Sequence, residues 1–359
     1  MIPLIYKKDY ETVKNSGVGK AIEHQIEALK LIGEDFSVDE KNDFDVVHIN
    51  TVFPKSLIFS KKASKEGKAV VYHAHSTEED FRNSFLLSNF LSPLFKKWIM
   101  YCYNSSDILI TPTEYSKNIL KSYGIKKDIE VISNGIELDF WRKKKEDREN
   151  FYKKYNLDKN KKTIISVGLF IKRKGILDFV ELAKRLPQFE FVWFGKLNLN
   201  LVGKDVRDAV NSNLKNLHFP GFVSSKDLRE AYSACDLYLF PTYEETEGIV
   251  LLEAIATGAK TIIRDIDIFK NDFKDGINIY KAKNNDEFEE KIINILNGNL
   301  KDLTKEARKI AEERSIEKTG EKLVNCYKKA VKIKEIKNEE NLEKQHKSHF
   351  LLKKLKESF

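Results

Sequence analysis

The segment that decides the fold is LYLFPTYEETEGIVLLEAIATG, residues 237–258. Its apolar start, Leu237–Tyr243, predicts a buried strand that ends at Pro241. A helix is predicted over Gly248–Thr257, and Gly258 closes it. A strand, a loop and a helix in this order form the repeating unit of an α/β domain. The loop carboxylates are therefore expected at the carboxyl end of a strand, where such sheets bind ligands.

The same alternation extends outward along the chain. Near-continuous apolar runs predict buried parallel strands on both sides of a polar stretch; they cover 45–50, 69–75, 107–113, 163–168, 189–195 and 260–265. We therefore predict two doubly wound, Rossmann-like α/β domains facing across a cleft. The predicted boundaries are an N-terminal domain 1–140, a linker 141–162, a C-terminal domain 163–315, a helix 316–333 returning to the first domain, and a basic amphipathic tail 334–359.

The net charge and its distribution along the chain indicate what kind of partner the protein has. The 359 residues are 41% hydrophobic and carry a net charge of +8, which favours an anionic partner. Residues 328–359 hold ten lysines and five glutamates, so five of the eight excess positive charges lie in this C-terminal stretch. There Leu351, Leu352, Leu355 and Phe359 recur at helical spacing. This distribution argues against a nucleic-acid partner, which would need a basic stripe on a folded face, and fits an anionic membrane surface.

The cysteines and the apolar runs bear on the predicted location of the protein in the cell. Three scattered cysteines form neither a disulfide framework nor a metal motif. No signal peptide is apparent, and no run approaches the roughly 20 apolar residues of a spanning helix. We predict a cytoplasmic protein attached peripherally to the cytoplasmic face of the cell membrane.

The loop carboxylates suit a sugar nucleotide. Glu245 can accept hydrogen bonds from sugar hydroxyls, and Glu253 is suited to ribose hydroxyls. Gly248 allows close approach to the backbone, and the helix start offers free N–H groups to a phosphate. Alternatively, Glu245 and Glu247 are ordinary helix N-terminal charges and Glu253 is a solvated surface residue. These residues alone leave both interpretations open.

Residues 241–262 resemble the Glu-x7-Glu signature of the retaining glycosyltransferases of family 4, which have the GT-B fold. Further segments follow the family's order: NSGVGKAIEHQIEAL, DVVHINT, YHAHS, TPTEYSK, VISNGIE, VGLFIKRKG and FPGFVSSKDL. The resemblance covers roughly residues 13–285. SGVGKAIEHQ, DVVHINT, HAHSTEEDFRNSF and EETEGIVLLEA are most similar to the bacterial glycosyldiacylglycerol synthases, in particular those that add a second hexose to monoglucosyldiacylglycerol.

The resemblance implies that domain 1–140 binds the acceptor and that domain 163–315 binds the nucleotide sugar. It also implies roles for individual residues. His75, Glu245 and Lys174 would be catalytic. The donor site would comprise Gly17, Gly19, Arg173, Lys174, Glu245, Thr246, Glu247, Gly248, Ile249 and Glu253. Leu169 stands where the family usually has an arginine, and Arg173 could supply that charge. We expect His73 to be structural, pointing to the opposite strand face from His75. No metal or other cofactor is expected, because positive side chains and a helix N-terminus would neutralise the donor diphosphate.

The acceptor side is predicted in residues 80–103. This segment mixes phenylalanine and leucine with basic residues, which suits a surface dipping into an anionic bilayer. The predicted acceptor and membrane residues are Arg82, Phe85, Lys96, Lys97 and Trp98. The alternative is that the aromatic and aliphatic stripe is core.

These expectations converge on a retaining enzyme that moves glucose or galactose from a UDP-hexose to a membrane glycolipid, forming a diglycosyldiacylglycerol. Two alternatives stay open: a family 4 enzyme acting on a cell-wall or capsular precursor, and a UDP-sugar epimerase on the same fold. The sequence does not indicate the donor sugar, the linkage, the lipid chains, the order of sugar addition or the oligomeric state.

Overall fold

A computed structural model describes residues 1–357; for residues 345, 346 and 348–357 it describes the helical backbone only. The strands are β1 Pro3–Ile5, β2 Val46–Ile49, β3 Ala69–His73, β4 Ile108–Thr111, β5 Ile129–Val131, β6 Thr163–Val167, β7 Glu190–Phe194, β8 Leu217–Gly221, β9 Leu237–Phe240, β10 Thr261–Arg264 and β11 Tyr280–Ala282. The helices are α1 Tyr10–Val13, α2 Gly17–Leu31, α3 Pro54–Lys65, α4 Glu78–Phe81, α5 Ser88–Tyr103, α6 Glu114–Ser122, α7 Asp147–Tyr155, α8 Ile176–Arg185, α9 Lys204–Val210, α10 Ser225–Ala234, α11 Ile249–Thr257, α12 Asn285–Leu296, α13 Thr304–Glu313 and α14 Ile316–Glu357.

The chain divides into two compact units. Among the described residues, unit 1 comprises 1–75, 98–132 and 319–357. Its parallel sheet has the order β1-β2-β3-β4-β5. The strands β2, β3 and β4 are buried along their whole length, as expected of parallel strands covered on both faces. Apolar residues of α2 and α14, including Leu29, Leu323 and Tyr327, complete its core.

Unit 2 comprises residues 76–97 and 133–318. Its parallel sheet has the order β11-β10-β9-β6-β7-β8. The strand order reverses between β6 and β9, which pair in parallel through Ile164 and Leu237. Such a switch point opens a crevice at the carboxyl ends of the two strands. The loops that follow β6 and β9 therefore meet at the position where doubly wound sheets bind ligands.

The unit boundaries differ from the predicted domains at several points. Residues 76–97 and 133–140 pack with unit 2, although we predicted residues 1–140 to form one domain. The predicted linker contains α7, whose Phe151 and Tyr152 are buried in unit 2 because their rings pack against its core rather than facing water.

The C-terminal helix is longer than predicted. Residues from Thr319 onward belong to unit 1, and α14 runs without a break through residue 333. Lys334 donates to the carbonyl of Ser64 at 2.8 Å, and Lys337 pairs with Asp107 at 2.8 Å. The fold of unit 1 thus extends into the predicted tail. The apolar side chains predicted at 351, 352, 355 and 359 lie outside the described residues.

None of the helices that the structure describes is long and apolar enough to cross a membrane.

Candidate active site

The loop after β6 and the loop after β9 are held together by Gly175. This residue has a φ of +79°, and a Cβ atom there would lie 2.3 Å from the carbonyl oxygen of Pro241. Only glycine allows both that conformation and that approach. Lys174, which precedes Gly175, is thereby placed against the residues that follow Pro241.

Lys174 and Glu245 form an ion pair at this point. Both side chains are largely buried, with 16% and 7% of their surface exposed. Burial lowers the pKa of Lys174, and the Glu245 carboxylate opposes part of that shift. The Thr242 hydroxyl also lies 3.3 Å from Glu245 Oε1. Two residues that were both predicted for catalysis and for the donor site, Lys174 and Glu245, are therefore direct partners.

Arg173 forms an ion pair and hydrogen bonds with neighbouring groups of unit 2. Its guanidinium pairs with Asp80 at 2.7 Å and donates to the Glu244 carbonyl at 2.8 Å. Its Nε donates to Ser84 Oγ at 3.1 Å. Arg173 therefore ties residues 80–84 to the two loops, in addition to bringing a positive charge beside Lys174. Leu169, at the position where arginine is usual, packs against the core of unit 2.

Helix α11 begins shortly after Glu245 in the sequence. Gly248 is its N-cap with a φ of +89°, and Ile249 is the first helical residue, one position later than predicted. No acidic residue lies in the first turn, so the explanation of Glu245 and Glu247 as first-turn charges is wrong. Thr246 lies in the loop between them.

Glu247 has a contact that the sequence did not indicate. Its carboxylate accepts from the backbone N of Asn134 at 3.0 Å and from Asn134 Nδ2 at 2.7 Å, and Ser133 Oγ also donates to it. Burial raises the pKa of Glu247, and the positive charge of Arg314 and these hydrogen bonds partly offset the shift. The Glu247 carboxylate thus holds the loop that follows β5. If Glu247 also binds the donor substrate, as predicted, its carboxylate oxygens must serve both the donor and these hydrogen bonds.

Glu253 lies within α11 and is 3% exposed. The hydroxyl of Tyr232 is 3.5 Å from its Oε2. The alternative that Glu253 is a solvated surface residue is therefore wrong. Its proposed ribose contact stays a prediction.

In unit 1 the two predicted glycines differ. Gly19 fits only because it lacks a side chain, since a Cβ atom would lie 2.3 Å from the Val13 carbonyl oxygen. Its N–H points to Ser16 Oγ, the N-cap of α2, at 3.4 Å. Close packing of its own chain thus accounts for Gly19. Gly17 opens the helix with no atom within 4 Å of a Cβ position, which leaves room for a ligand.

His75 belongs to a buried polar network at the carboxyl ends of β2 and β3. Its Nε2 lies 2.8 Å from Asn50 Oδ1. Asn50 and Gln25 exchange two amide hydrogen bonds, of 2.7 and 2.8 Å. Because Asn50 Oδ1 is the acceptor in this pair, the ring proton of His75 lies on Nε2. The network therefore fixes the tautomer of the predicted catalytic histidine.

Two more histidines continue the network. His73 stacks on His75 with ring centroids 4.0 Å apart, and His48 stacks on His73 at 5.4 Å. The prediction that His73 points to the opposite face was wrong, because residues two apart in an extended chain share a face. His48 Nδ1 contacts the Tyr327 hydroxyl at 2.7 Å. Burial lowers the pKa of His48 and of His75 to about 3 and that of His73 well below its ordinary value, so all three are neutral near pH 7.

The predicted acceptor segment separates into two parts. Trp98 belongs to unit 1 and donates its indole N–H to the Val52 carbonyl at 2.6 Å. In unit 2, Arg82 and Lys96 both pair with the buried Glu78, at 2.7 and 3.4 Å, whereas Lys97 is exposed. Six large apolar side chains of this part are exposed and form what we call the apolar ridge: Phe85, Leu86, Leu87, Phe90, Leu91 and Leu94. The alternative that the stripe is core is wrong for these six residues.

Several residues that contact the predicted site residues or belong to the network around His75 were not predicted from the sequence. Asn50 directly follows β2, and the rule that strand ends carry ligand contacts would have identified it. Gln25, Tyr327 and Asp80 gave no such signal, because their roles depend on contacts between distant segments.

No group of three or more His, Cys, Asp or Glu side chains in the described part of the chain is arranged to hold a metal ion. Independence from metal stays a prediction.

Comparison with known proteins identifies the family. The model for glycosyl transferases group 1 matches residues 147–314, and that for Glycosyltransferase Family 4 matches residues 26–140. The processive diacylglycerol alpha-glucosyltransferase of Acholeplasma laidlawii is 36% identical over 92% of this chain and 99% of its own length. The chain belongs to glycosyltransferase family 4.

A second sequence relative and a solved structure are also similar to this family 4 glycosyltransferase. The alpha-galactosylglucosyldiacylglycerol synthase of Streptococcus pneumoniae is 28% identical over 89% of this chain and 87% of its own length. The crystal structure of Anabaena HepE in complex with UDP and glucose has a TM-score of 0.70 at 15% identity, covering 91% of this chain and 99% of HepE. The predicted GT-B fold class and the predicted enzyme class are thereby confirmed.

Proposed function

We propose that this glycosyltransferase transfers a hexose from a UDP-hexose to a diacylglycerol-based membrane glycolipid, with monoglucosyldiacylglycerol as the acceptor. The observation that carries the proposal is the similarity, over nearly the whole chain, to an enzyme named for transfer to diacylglycerol. The relative from Streptococcus pneumoniae, named for a diglycosyl lipid, supports an acceptor that already bears a sugar.

The ion pair supports a role in binding the donor. The bond between the sugar C1 and the diphosphate oxygen breaks, the acceptor oxygen bonds to C1 on the same face, and the leaving phosphate oxygen takes the acceptor proton. Negative charge develops on the diphosphate, and a cation already oriented there stabilises it without reorganisation. In this proposal Lys174 and the N–H groups at the start of α11 supply that stabilisation, and Glu245 orients both Lys174 and a sugar hydroxyl.

His75 takes part in this proposal as a neutral group. Because burial lowers its pKa to about 3, it is not a positive charge at the reaction centre. With its proton held on Nε2 by Asn50, its other ring nitrogen is a hydrogen-bond acceptor. That acceptor is suited to a hydroxyl of the donor sugar or of the acceptor.

The apolar ridge supports membrane attachment. Phe90 and Leu87 are 79% and 72% exposed, and full burial of such a side chain stabilises by about 1.5–3 kcal/mol. The exposed Lys97 adds about 1 kcal/mol near an anionic surface. The apolar contribution of six side chains therefore exceeds the electrostatic one. We propose that the ridge inserts into the cytoplasmic leaflet beside the acceptor.

The test is hexose transfer by the purified protein. Labelled UDP-glucose and UDP-galactose are offered separately, with diacylglycerol or monoglucosyldiacylglycerol in anionic micelles, with and without chelator. A labelled diglycosyl lipid that forms despite chelator, with retained configuration by NMR, would support the proposal and name the donor. Binding of UDP-hexose without label in any lipid would instead indicate a cell-wall or capsular acceptor.

Vesicle sedimentation tests attachment separately. Replacing Phe90 and Leu94, two exposed ridge residues outside both cavities described below, together by serine is expected to weaken binding to anionic vesicles at least tenfold, while transfer to a detergent-solubilised acceptor persists. Ile277→Ser is the matched control, because Ile277 is also exposed (65%) but lies outside the ridge. Unchanged vesicle binding by the double variant would show that the ridge does not insert.

A further inference from the structure

Unit 2 contains two adjoining cavities that are lined by different residue types. The larger one, which we call the polar cavity, has a volume of about 650 Å³. The smaller one, which we call the apolar cavity, has a volume of about 190 Å³. Half of its lining residues are apolar, namely Phe85, Leu86, Leu87, Ile171, Val202 and Val206, and the other half includes Ser84, Ser88 and Asn89. Asn83 and Lys172 line both cavities, so they form a shared rim. Three of the apolar walls belong to the ridge, which continues from the apolar cavity to the surface.

The charges of the polar cavity select the kind of ligand. Its walls carry four carboxylates, three basic side chains and two amides. This near balance does not favour a phosphate or a nucleotide, which would need an excess of basic groups. It suits a neutral polyhydroxylated group, whose hydroxyls donate to carboxylates and accept from basic side chains and amides. The volume lies within the roughly 300–1,000 Å³ typical of small-molecule sites.

Tyr243 provides a fixed aromatic surface in this cavity. Its side chain is 48% exposed. The guanidinium carbon of Arg264 lies 3.8 Å from the ring centroid, and the phenol hydroxyl donates to Asp178 at 3.1 Å. Arg264 is itself held by the Pro241 carbonyl at 2.9 Å. The ring is therefore oriented before a ligand arrives, and an aromatic face beside carboxylates suits the C–H face and hydroxyls of a pyranose.

We propose that the polar cavity binds the glycosyl headgroup of the lipid acceptor, while the glycerol crosses the rim of Asn83 and Lys172 and the first acyl carbons enter the apolar cavity. This inference rests on the proposed function and adds the acceptor subsite to it. Arg173 and Glu244 line the polar cavity, and the residue after each is a member of the Lys174–Glu245 pair. The headgroup would thus lie one residue away from the proposed donor site along both loops.

The consequence is selectivity for an acceptor that already carries a sugar. Diacylglycerol occupies only the apolar cavity and leaves the polar one without a ligand. Monoglucosyldiacylglycerol fills both and places its free hydroxyls among the carboxylates. Changes in the polar cavity should therefore raise KM for the glycosylated acceptor without changing KM for UDP-hexose.

Glu181 and Glu289 form a matched pair for the test. Both bond Arg185, at 2.9 and 3.3 Å, but only Glu181 is among the walls of the polar cavity. We expect Glu181→Gln to raise KM for monoglucosyldiacylglycerol about fivefold and Tyr243→Ala to raise it at least tenfold, since each removes contacts to the headgroup. Glu289→Gln should behave as the wild type, and KM for UDP-hexose should be unchanged in all three.

A second measurement does not depend on transfer. Saturation-transfer NMR would detect n-octyl glucoside, below its micelle concentration, through its ring protons. Signal with the wild type and with Glu289→Gln, but not with Tyr243→Ala, would support the headgroup site. Lipid product from the wild type, combined with unchanged acceptor KM and unchanged NMR signal in Tyr243→Ala, would overturn this inference alone. Failure of the wild type to label any lipid would overturn the proposed function and the inference with it.

Discussion

The Lys174–Glu245 pair allows stability and catalysis to be separated in one set of variants. We consider Glu245→Gln, Lys174→Met and the double variant. Each single change removes one charge of a largely buried pair and leaves the other without its counter-ion. The double change removes both charges and keeps similar side-chain volumes.

The burial of the pair sets the magnitude. Breaking a buried ion pair by removing one partner costs about 3–5 kcal/mol, whereas replacing both partners is often close to neutral. Because Lys174 keeps 16% of its side chain exposed, we expect the lower end, about 3 kcal/mol for each single variant. The double variant should unfold within about 1 kcal/mol of the wild type. Hexose transfer should fall at least tenfold in all three variants, which is about 1.4 kcal/mol or more of transition-state stabilisation.

Urea unfolding followed by tryptophan fluorescence measures the stability. Trp141 and Trp193 are fully buried in unit 2, and Trp98 lies in unit 1, so two of the three tryptophans report the unit that holds the pair. Transfer from labelled UDP-hexose, measured well below the unfolding transition, gives the activity. Single variants as stable as the wild type would refute the coupled burial of the two charges. Recovery of transfer in the double variant to within about threefold would show that the pair is structural and that the donor assignment is wrong.

Three further predictions concern unit 1. The histidines His48, His73 and His75 are neutral in the folded protein, whereas in the unfolded chain they titrate near pH 6.5. Protonation therefore favours the unfolded state, and the free energy of unfolding falls as the pH drops below about 6.5. At pH 5.5 the loss is about 1.4 kcal/mol for each histidine. Urea unfolding at pH 7.5 and 5.5 checks this, because His48→Phe should lose less stability on acidification than the wild type; an equal loss would contradict it. Asn50→Ala removes the acceptor that holds the His75 tautomer and should lower transfer at least fivefold with UDP-hexose binding unchanged; normal transfer would make the network purely structural. Truncation after Ile333 should lower the melting temperature because it removes the contacts of Lys334 and Lys337, whereas truncation after Lys344 should weaken only vesicle binding; equal melting temperatures would contradict this boundary.

The sequence by itself determined the local structure and the chemistry available. Apolar runs and glycine positions located the strands after which the site residues lie, and the helix predicted at Gly248 begins one residue later, at Ile249. The mixture of apolar and basic residues in 80–103 also predicted a surface that contacts a membrane; six of its apolar side chains are exposed, and membrane contact itself stays a prediction. These features depend on periodicity and side-chain chemistry within about ten residues, which a single sequence contains.

Only the tertiary structure decided which of these residues meet. Lys174 and Glu245 are 71 residues apart, and they pair because β6 and β9 are neighbours at the switch point and Gly175 packs against Pro241. Residues 76–97 belong to unit 2 through contacts such as Arg173 with Asp80, although they follow β3 of unit 1 directly. Strand order and contacts between distant segments arise from the packing of whole elements, so no local pattern contains them. That packing also places the polar and apolar cavities side by side, and with them the proposed selectivity for a glycolipid.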